Sequence, residues 1–365
     1  VSQRKIRAVY MRGGTSRCLV FHDGDLPEPG AARDRILLSA LGSPDPYGRQ
    51  LNGLGGGISS LSKACIIGPP THPDADVDYT FAQVDVRSPM VDYGGNCGNC
   101  SSAVGPFAID ERLVKAQDGT TVVRIHNTNT RKLIVSHVPV QDGEAAVEGD
   151  FELAGVAGRG ARITLDFQDP GGAGTGRLLP TGRPREWISG AEASLVDATN
   201  PMVFVRAKDL GLVGTETPQA IDADRGLAAR LEALRVEAAA RMGISGSAAV
   251  PKIAMVAEPA RFTALDGSRY DGDQVDVVAR VISMGACHRA FALTAAMCLA
   301  VAARVEGTLV REYAGDVAGD IRLGHPSGVL PIDAAVRARD GGPWAERVTV
   351  YRTARRIMEG FARVP

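Results

Sequence analysis

Two side chains with proton chemistry stand in suggestive settings. One is the thiol of Cys97, in Asn96-Cys97-Gly98-Asn99-Cys100, and the other is the amine of Lys63. Cys97 follows a strand-like run, Tyr79 to Val91, and precedes a helix-like run, Ser101 to Asp110. A thiol there meets unpaired N–H groups at a helix N-terminus, which favours the thiolate. The same groups offer a seat to a carboxylate. Cys97 and Cys100 form a C-x-x-C pair. A zinc site needs four ligands, and no second pair or spaced histidines accompany this one. A thioredoxin-like pair usually carries an aromatic and a proline, which are absent here. From spacing alone, a catalytic thiol, a redox pair and two inert buried cysteines all remain open.

Lys63 lies between a glycine turn, Asn52 to Gly57, and the apolar run Ala64 to Ile67. The glycines do not make a nucleotide site. A P-loop needs Gly-Lys-Ser/Thr where Ser62-Lys63-Ala64 stands, and a dinucleotide fingerprint needs a helix where a strand follows. A lysine at the mouth of a buried strand is either a solvated surface group or a partly desolvated base with a lowered pKa.

Several elements position these groups. Lys5 to Tyr10 reads as a strand, turned by Arg12-Gly13-Gly14-Thr15-Ser16 into a second, Leu19 to Phe21. That turn is either a plain hairpin or a carboxylate cradle. Ala31 to Leu41 is a helix by apolar spacing, preceded by Pro29 and ended by Gly42. Strands are expected at Thr121–Ile125, Leu133–Val140, Ala145–Phe151, Ala161–Phe167, Met202–Val205, Lys252–Ala257 and Gln274–Ile282, with one long helix from Pro218 to Met242. The turn from Ser283 to Arg289 then opens an apolar, buried helix, Ala290 to Val305. Strand, glycine turn, thiol and helix thus occur twice. The expected plan is α+β: an N-terminal lobe over 1–185, rejoined by 350–365, and a C-terminal lobe over 186–349 around a central helix at 288–305. An arginine at the start of that helix opposes the macrodipole, so Arg289 is expected beside a bound anion or in solvent.

Composition sets the outer limits. A chain of 365 residues with 44% hydrophobic and 23% charged residues has ample core for two domains. A net charge of -1 gives no footprint for nucleic acid or an anionic membrane. The longest apolar stretch, Ala290 to Ala303, falls short of the roughly 20 residues that span a bilayer. The opening VSQRKIRAVY is charged and has no apolar core, so no secretory leader is expected. Six scattered cysteines in a large chain read as reduced thiols in a cytoplasm.

The chain resembles the PrpF-type isomerases, which include 2-methylaconitate cis-trans isomerase, 4-oxalomesaconate tautomerase and methylitaconate isomerase. The likeness runs nearly end to end. It is carried by MRGGTS at Met11 to Ser16, GSPDPYGRQ at Gly42 to Gln50, the GLGG turn with Ser62-Lys63, and NCGN at Asn96 to Asn99. It continues through LPTG at Leu179 to Gly182, HRA at His288 to Ala290, GHPSG at Gly324 to Gly328, and RTARRIMEG at Arg352 to Gly360. Departures fall at Arg17-Cys18, Leu51-Asn52, Cys100 and Cys287.

The resemblance implies a diaminopimelate-epimerase-like fold with two similar lobes, each a β-structure around a central helix. It implies Lys63 and Cys97 as catalytic residues of an isomerase that uses no cofactor or metal. The partner is a small unsaturated di- or tricarboxylate, such as 2-methylaconitate, with a homodimer allowed. Candidate carboxylate holders are Thr15, Ser16, Ser62, Asn96, Gly98, Asn99, His288, Arg289, Ser327 and Gly328. The expected chemistry takes an allylic proton with Lys63 as base and returns one from Cys97, or the reverse. The alternatives are a tautomerase or aconitate/itaconate-type isomerase, a two-thiol amino-acid epimerase using Cys97 and Cys287, a redox protein using Cys97 and Cys100, and an accessory to a dehydratase.

Overall fold

A computed structural model describes residues 3–245, 250–283, 285–339 and 341–365; Met284, in the turn before His288, lies outside them. The chain forms two compact units. The first runs to Leu165 and resumes at Tyr351–Pro365, and the second is Asp166–Val350.

The first unit is a sheet bent around one helix. β1 (Arg4–Gly13) turns antiparallel into β2 (Ser16–His22), which runs parallel to β3 (Lys63–Gly68). β3 pairs antiparallel with β4 (Val77–Val84), and β5 (Val91–Asp92) adds a short edge to β4. After helix α2 (Gly98–Asp110) come β6 (Gly119–Asn127), parallel to β4, and β7 (Lys132–Gln141), antiparallel to β6. The C-terminal strand Ala354–Val364 lies antiparallel to β1 and closes the other side. Strand alternation sorts the side chains between two faces. Ile6, Ala8 and Tyr10 join Ile36, Leu37 and Leu41 of α1 (Ala31–Leu41) in one core, leaving Val9 and Met11 for the α2 face.

Every residue of α2 from Gly98 to Ile109 is buried, and the helix packs against β1, β2, β3, β4, β6, β7 and the C-terminal strand. Small residues make this enclosure possible. A Cβ on Gly105 would stand 2.7 Å from both Ser136 Oγ and Val138 Cγ2 of β7. Gly105→Val should therefore destabilise the protein by about 1–3 kcal/mol through overpacking. Urea unfolding that leaves the midpoint unchanged would refute so tight a contact.

The second unit is also built on paired strands. Ala191–Ala198 pairs with Asn200–Arg206, then come Lys252–Ala257, Val277–Ser283, Ile321–His325 and Gly328–Arg339. The helix Leu293–Ala302 is apolar except for Thr294 and packs on the strands at 191–198, 200–206 and 328–339. Leu227, Leu231, Leu234 and Ala238 of the helix Arg225–Arg241 join a separate core with Leu195, Val203 and Ile253.

Four sequence expectations change. The second central helix starts at Leu293, not 288, because His288 N–H still bonds back to Val281 O of the preceding strand. The long helix from Pro218 to Met242 breaks at Asp224, whose extended backbone lets its carboxylate cap Leu227 N. No continuous strand spans 145–151, since Gly149 crosses so close to Ala161 that a Cβ would sit 2.7 Å from its Cα. The passage between units falls at 165–166 rather than 185–186. The glycine-rich loop after it is tied into the second unit by Gly174 N and Thr175 N, both donating to Asp197 Oδ2. Among the described residues no helix is long and apolar enough to cross a membrane.

Candidate functional site

Cys97 is the N-cap of α2. The helix begins one turn before its apolar run because Cys97 Sγ accepts the Cys100 N–H at 3.4 Å, doing the work of a capping oxygen. Its carbonyl receives Ser101 N–H at 2.9 Å and Ser101 Oγ at 3.0 Å. The Cys97 pKa is lowered to about 5. The largest cause is a hydrogen bond from the Cys100 thiol; the charge of Lys63 and the backbone N–H groups of Cys100 and Asn99 add to it, against the opposing effect of burial. Cys97 as a residue is half-buried.

Lys63 opens β3 and is 8% exposed. Its Nζ donates to Gln83 Oε1 at 2.6 Å and stands 5.0 Å from the centre of the Phe81 ring. The first contact is a hydrogen bond to an amide oxygen and the second places the amine over an aromatic face. Gln83 is Lys63's cross-strand partner in the β3–β4 ladder. Its own Nε2 donates to Ser62 O at 2.9 Å and Ser59 O at 3.1 Å, which fixes the amide with its oxygen toward Lys63. Nothing in the sequence around Gln83 marks it; only strand register brings it to the lysine. Gln83→Leu should keep the fold and lower kcat about 10–100-fold by releasing the amine, and steady-state kinetics showing wild-type kcat would remove this positioning role.

The glycine turn completes the surroundings. Gly14 takes a positive φ of 52° at the first turn position between β1 and β2, a conformation suited to glycine. A Cβ there would meet Asn99 Oδ1 at 2.3 Å and Arg352 Cδ at 3.1 Å. The hairpin thus presses directly on the start of α2. Asn99 Nδ2 donates to Thr15 Oγ1 at 3.1 Å, and Arg12 Nη1 clamps the turn through Gly14 O and Thr353 O. Asn96 Oδ1 is held by Asn127 Nδ2 and Ser101 Oγ, both at 3.4 Å.

Of the residues singled out by sequence, Thr15, Asn96, Cys97, Gly98 and Asn99 gather at the α2 N-terminus, with Lys63 near enough for its charge to act on Cys97. Ser16 is buried in the hairpin ladder opposite Gly13. The Ser62 hydroxyl is engaged within the protein. The residue is fully buried, and its hydroxyl donates to Val84 O while accepting from Gln50 Nε2. In the second unit, Ser327 Oγ donates to Arg289 O at 2.7 Å, and Gly328 opens the next strand. His288 Nδ1 accepts Ala290 N–H. With the helix starting at Leu293, the macrodipole argument for an anion at Arg289 no longer applies.

Two further observations bear on the thiols. Cys287 is buried, and its pKa is pushed up to about 12 by burial and then by the charge of Asp222, so it is held as a neutral thiol. Cys18, Cys65 and Cys100 converge from β2, β3 and α2, with sulfurs all within 4.8 Å of one another. Sequence spacing gave no sign of this group. Burial raises Cys65 and Cys100 well above the ordinary thiol range. These three therefore pack as neutral thiols, and Cys100 serves as donor to Cys97. All six cysteines are free.

Comparison with known proteins agrees with this architecture. The family model described as PrpF protein matches residues 3–365. The chain is 44% identical over 377 residues to the 3-methylitaconate isomerase of Eubacterium barkeri, covering 99% of this chain and 98% of that one. It is 42% identical over 390 residues to the 2-methyl-aconitate isomerase of Cupriavidus necator, covering 100% and 98%. The solved structure of a methylitaconate-delta-isomerase matches with a TM-score of 0.85 at 44% identity, over 100% of this chain and 96% of that chain. A probable proline racemase from Agrobacterium radiobacter matches at 0.55 and 14% identity, over 99% and 93%, a likeness of fold alone. The racemase and epimerase architecture implied by the sequence motifs is the architecture found.

Proposed function

The chain belongs to the PrpF family of isomerases, and on that premise we propose that it moves a proton and a double bond within a small unsaturated di- or tricarboxylate of the methylitaconate or 2-methylaconitate type. One observation carries the mechanism: Cys97 is poised as a thiolate by a helix N-terminus, the Cys100 thiol and the Lys63 charge.

An allylic C–H next to a carboxylate is weakly acidic. The Cys97 thiolate takes that proton, forming an S–H bond as the C–H electron pair enters the π system. The resulting dienolate spreads charge onto the carboxylate, where the N–H groups at the start of α2 and the fixed cations stabilise it. The Lys63 ammonium then delivers a proton to the distal allylic carbon. The amine left behind recovers its proton from the Cys97 thiol, directly or through water, and the cycle closes without an external reagent. Rotation about the softened bond before reprotonation gives the cis-trans product instead. These roles reverse the first of the two assignments drawn from the sequence, because a thiol with pKa near 5 is a base at neutral pH and a poor acid. Free cysteines throughout suit a reducing, cytoplasmic setting.

The test is to incubate the protein with 3-methylitaconate and with 2-methylaconitate and follow the alkene signals by proton NMR. Conversion of either acid to its double-bond isomer supports the reading. Inertness of both, in a protein with an intact circular dichroism spectrum, overturns the substrate class.

A further inference from the structure

Arg352 ends the strand Gly342–Arg352 and is 3% exposed. Its Nη1 donates to Tyr351 O at 2.9 Å, and its Nε is buried with no hydrogen-bond partner. No carboxylate pairs with it among the described residues. A structural arginine in this chain looks different. Arg280, buried to 1% exposure, donates from Nε to Glu216 O at 2.7 Å and from Nη1 to Ala279 O at 2.9 Å, and lies over Phe262. Arg356 carries a buried Nε too, but its guanidinium is ringed by Asp110, Glu111 and Glu359.

The location of Arg352 sharpens the question. Arg352 packs against the Gly14 turn at the start of α2: a Cβ on Gly14 would meet Asn99 Oδ1 at 2.3 Å and Arg352 Cδ at 3.1 Å. Asn99 is the second residue of α2, and Cys97 is its cap. A cation at a helix N-terminus is electrostatically misplaced unless an anion joins it. Here Arg352, Lys63 and the helix end stand together with one thiolate, so the site carries an excess of positive charge. An unpaired buried cation is costly, and a fork of five donors with one neutral acceptor is built for a carboxylate.

We propose that Arg352 is an anchor for one carboxylate of the substrate, binding it beside the Gly13–Thr15 turn and the start of α2. The proposal rests on the proton-transfer reading above for the identity of the anion, but its test does not need turnover. Burial lowers the Arg352 pKa to about 9, and the nearby Cys97 charge works against that. A rival role therefore exists, in which Arg352 serves only as counter-charge to the thiolate.

The probe is tricarballylate, a saturated tricarboxylate with no allylic proton, used to protect Cys97 from iodoacetamide in the wild type, Arg352→Met and Arg352→Lys. The expected result is that tricarballylate protects the wild type, and that its Kd, read at a pH where Cys97 is ionised in every variant, weakens at least tenfold in Arg352→Met and less in Arg352→Lys. The lysine variant keeps the buried charge and reads the same quantity if the methionine variant fails to fold. Equal Kd values in wild type and variants overturn the anchor. So does a shifted alkylation midpoint with unchanged Kd, which assigns Arg352 to the thiolate. A wild type that no concentration of tricarballylate protects also overturns it. Absence of isomerase activity with the Kd pattern intact would instead sink the proton-transfer reading and leave the anchor standing.

Discussion

Lys63→Ala lowers kcat by about a thousandfold or more while the protein stays folded. The magnitude follows from removing a general acid, worth roughly 10²–10⁴ in rate. The fold survives because Lys63 is the first residue of β3 and the partner of its side chain, Gln83, keeps both of its backbone-carbonyl bonds. Leaving Gln83 Oε1 without its donor costs about 1 kcal/mol. A second readout separates this from generic damage. The Lys63 charge is one of the causes that depress Cys97, so its removal should move the alkylation midpoint of Cys97 upward. Wild-type kcat in Lys63→Ala, or loss of activity with no movement of that midpoint, would break the assigned pairing of lysine and thiol.

Cys97→Ser should be equally damaging to turnover and harmless or favourable to stability. Serine is among the preferred N-caps and can accept the Cys100 N–H better than sulfur does, but its hydroxyl is no base near neutral pH. The wild type has a matching pH signature. Since the thiol titrates at about 5, kcat/KM should rise with pH through that midpoint, and iodoacetamide reactivity should follow the same curve. The sign for stability is the same. The native thiolate contributes fully above the unfolded thiol's value of about 8.5, and that contribution shrinks as pH falls. It is gone below about 5. An alkylation midpoint at the ordinary thiol value would show that the helix terminus and Cys100 do not act as described. Retained activity in Cys97→Ser would place the base elsewhere.

Much of the local structure was legible from residue order. α1 has the expected bounds, since apolar spacing and Gly42 are local signals. The hairpin around Gly14 was legible as a turn; that it presses on Asn99 was not, because the contact joins residues far apart in sequence. The helix after Cys97 begins at Gly98 rather than Ser101 because a thiol cap and glycine do not read as apolar periodicity. The apolar run at 290–305 overstated its helix, because hydrophobicity marks burial and not the point where a strand bond to Val281 is released. In the site, Lys63 and Cys97 stood out by setting and motif. Gln83 and the three converging thiols needed strand register to appear, and Arg352 needed the return of the C-terminal strand to β1. Ser62 adjoins Lys63 in sequence, but only the fold shows that its hydroxyl is taken up by Gln50 and Val84.

The most direct measurement follows wild-type protein in D2O with 3-methylitaconate and 2-methylaconitate by proton NMR, alongside Lys63→Ala and Cys97→Ser. The account predicts deuterium at the allylic carbon that gains a proton, a double-bond isomer appearing in step with it, and loss of both in each variant. An isomer formed without any solvent deuterium, or exchange that survives in Cys97→Ser, would contradict a cysteine thiolate and a lysine ammonium as the proton-transferring pair.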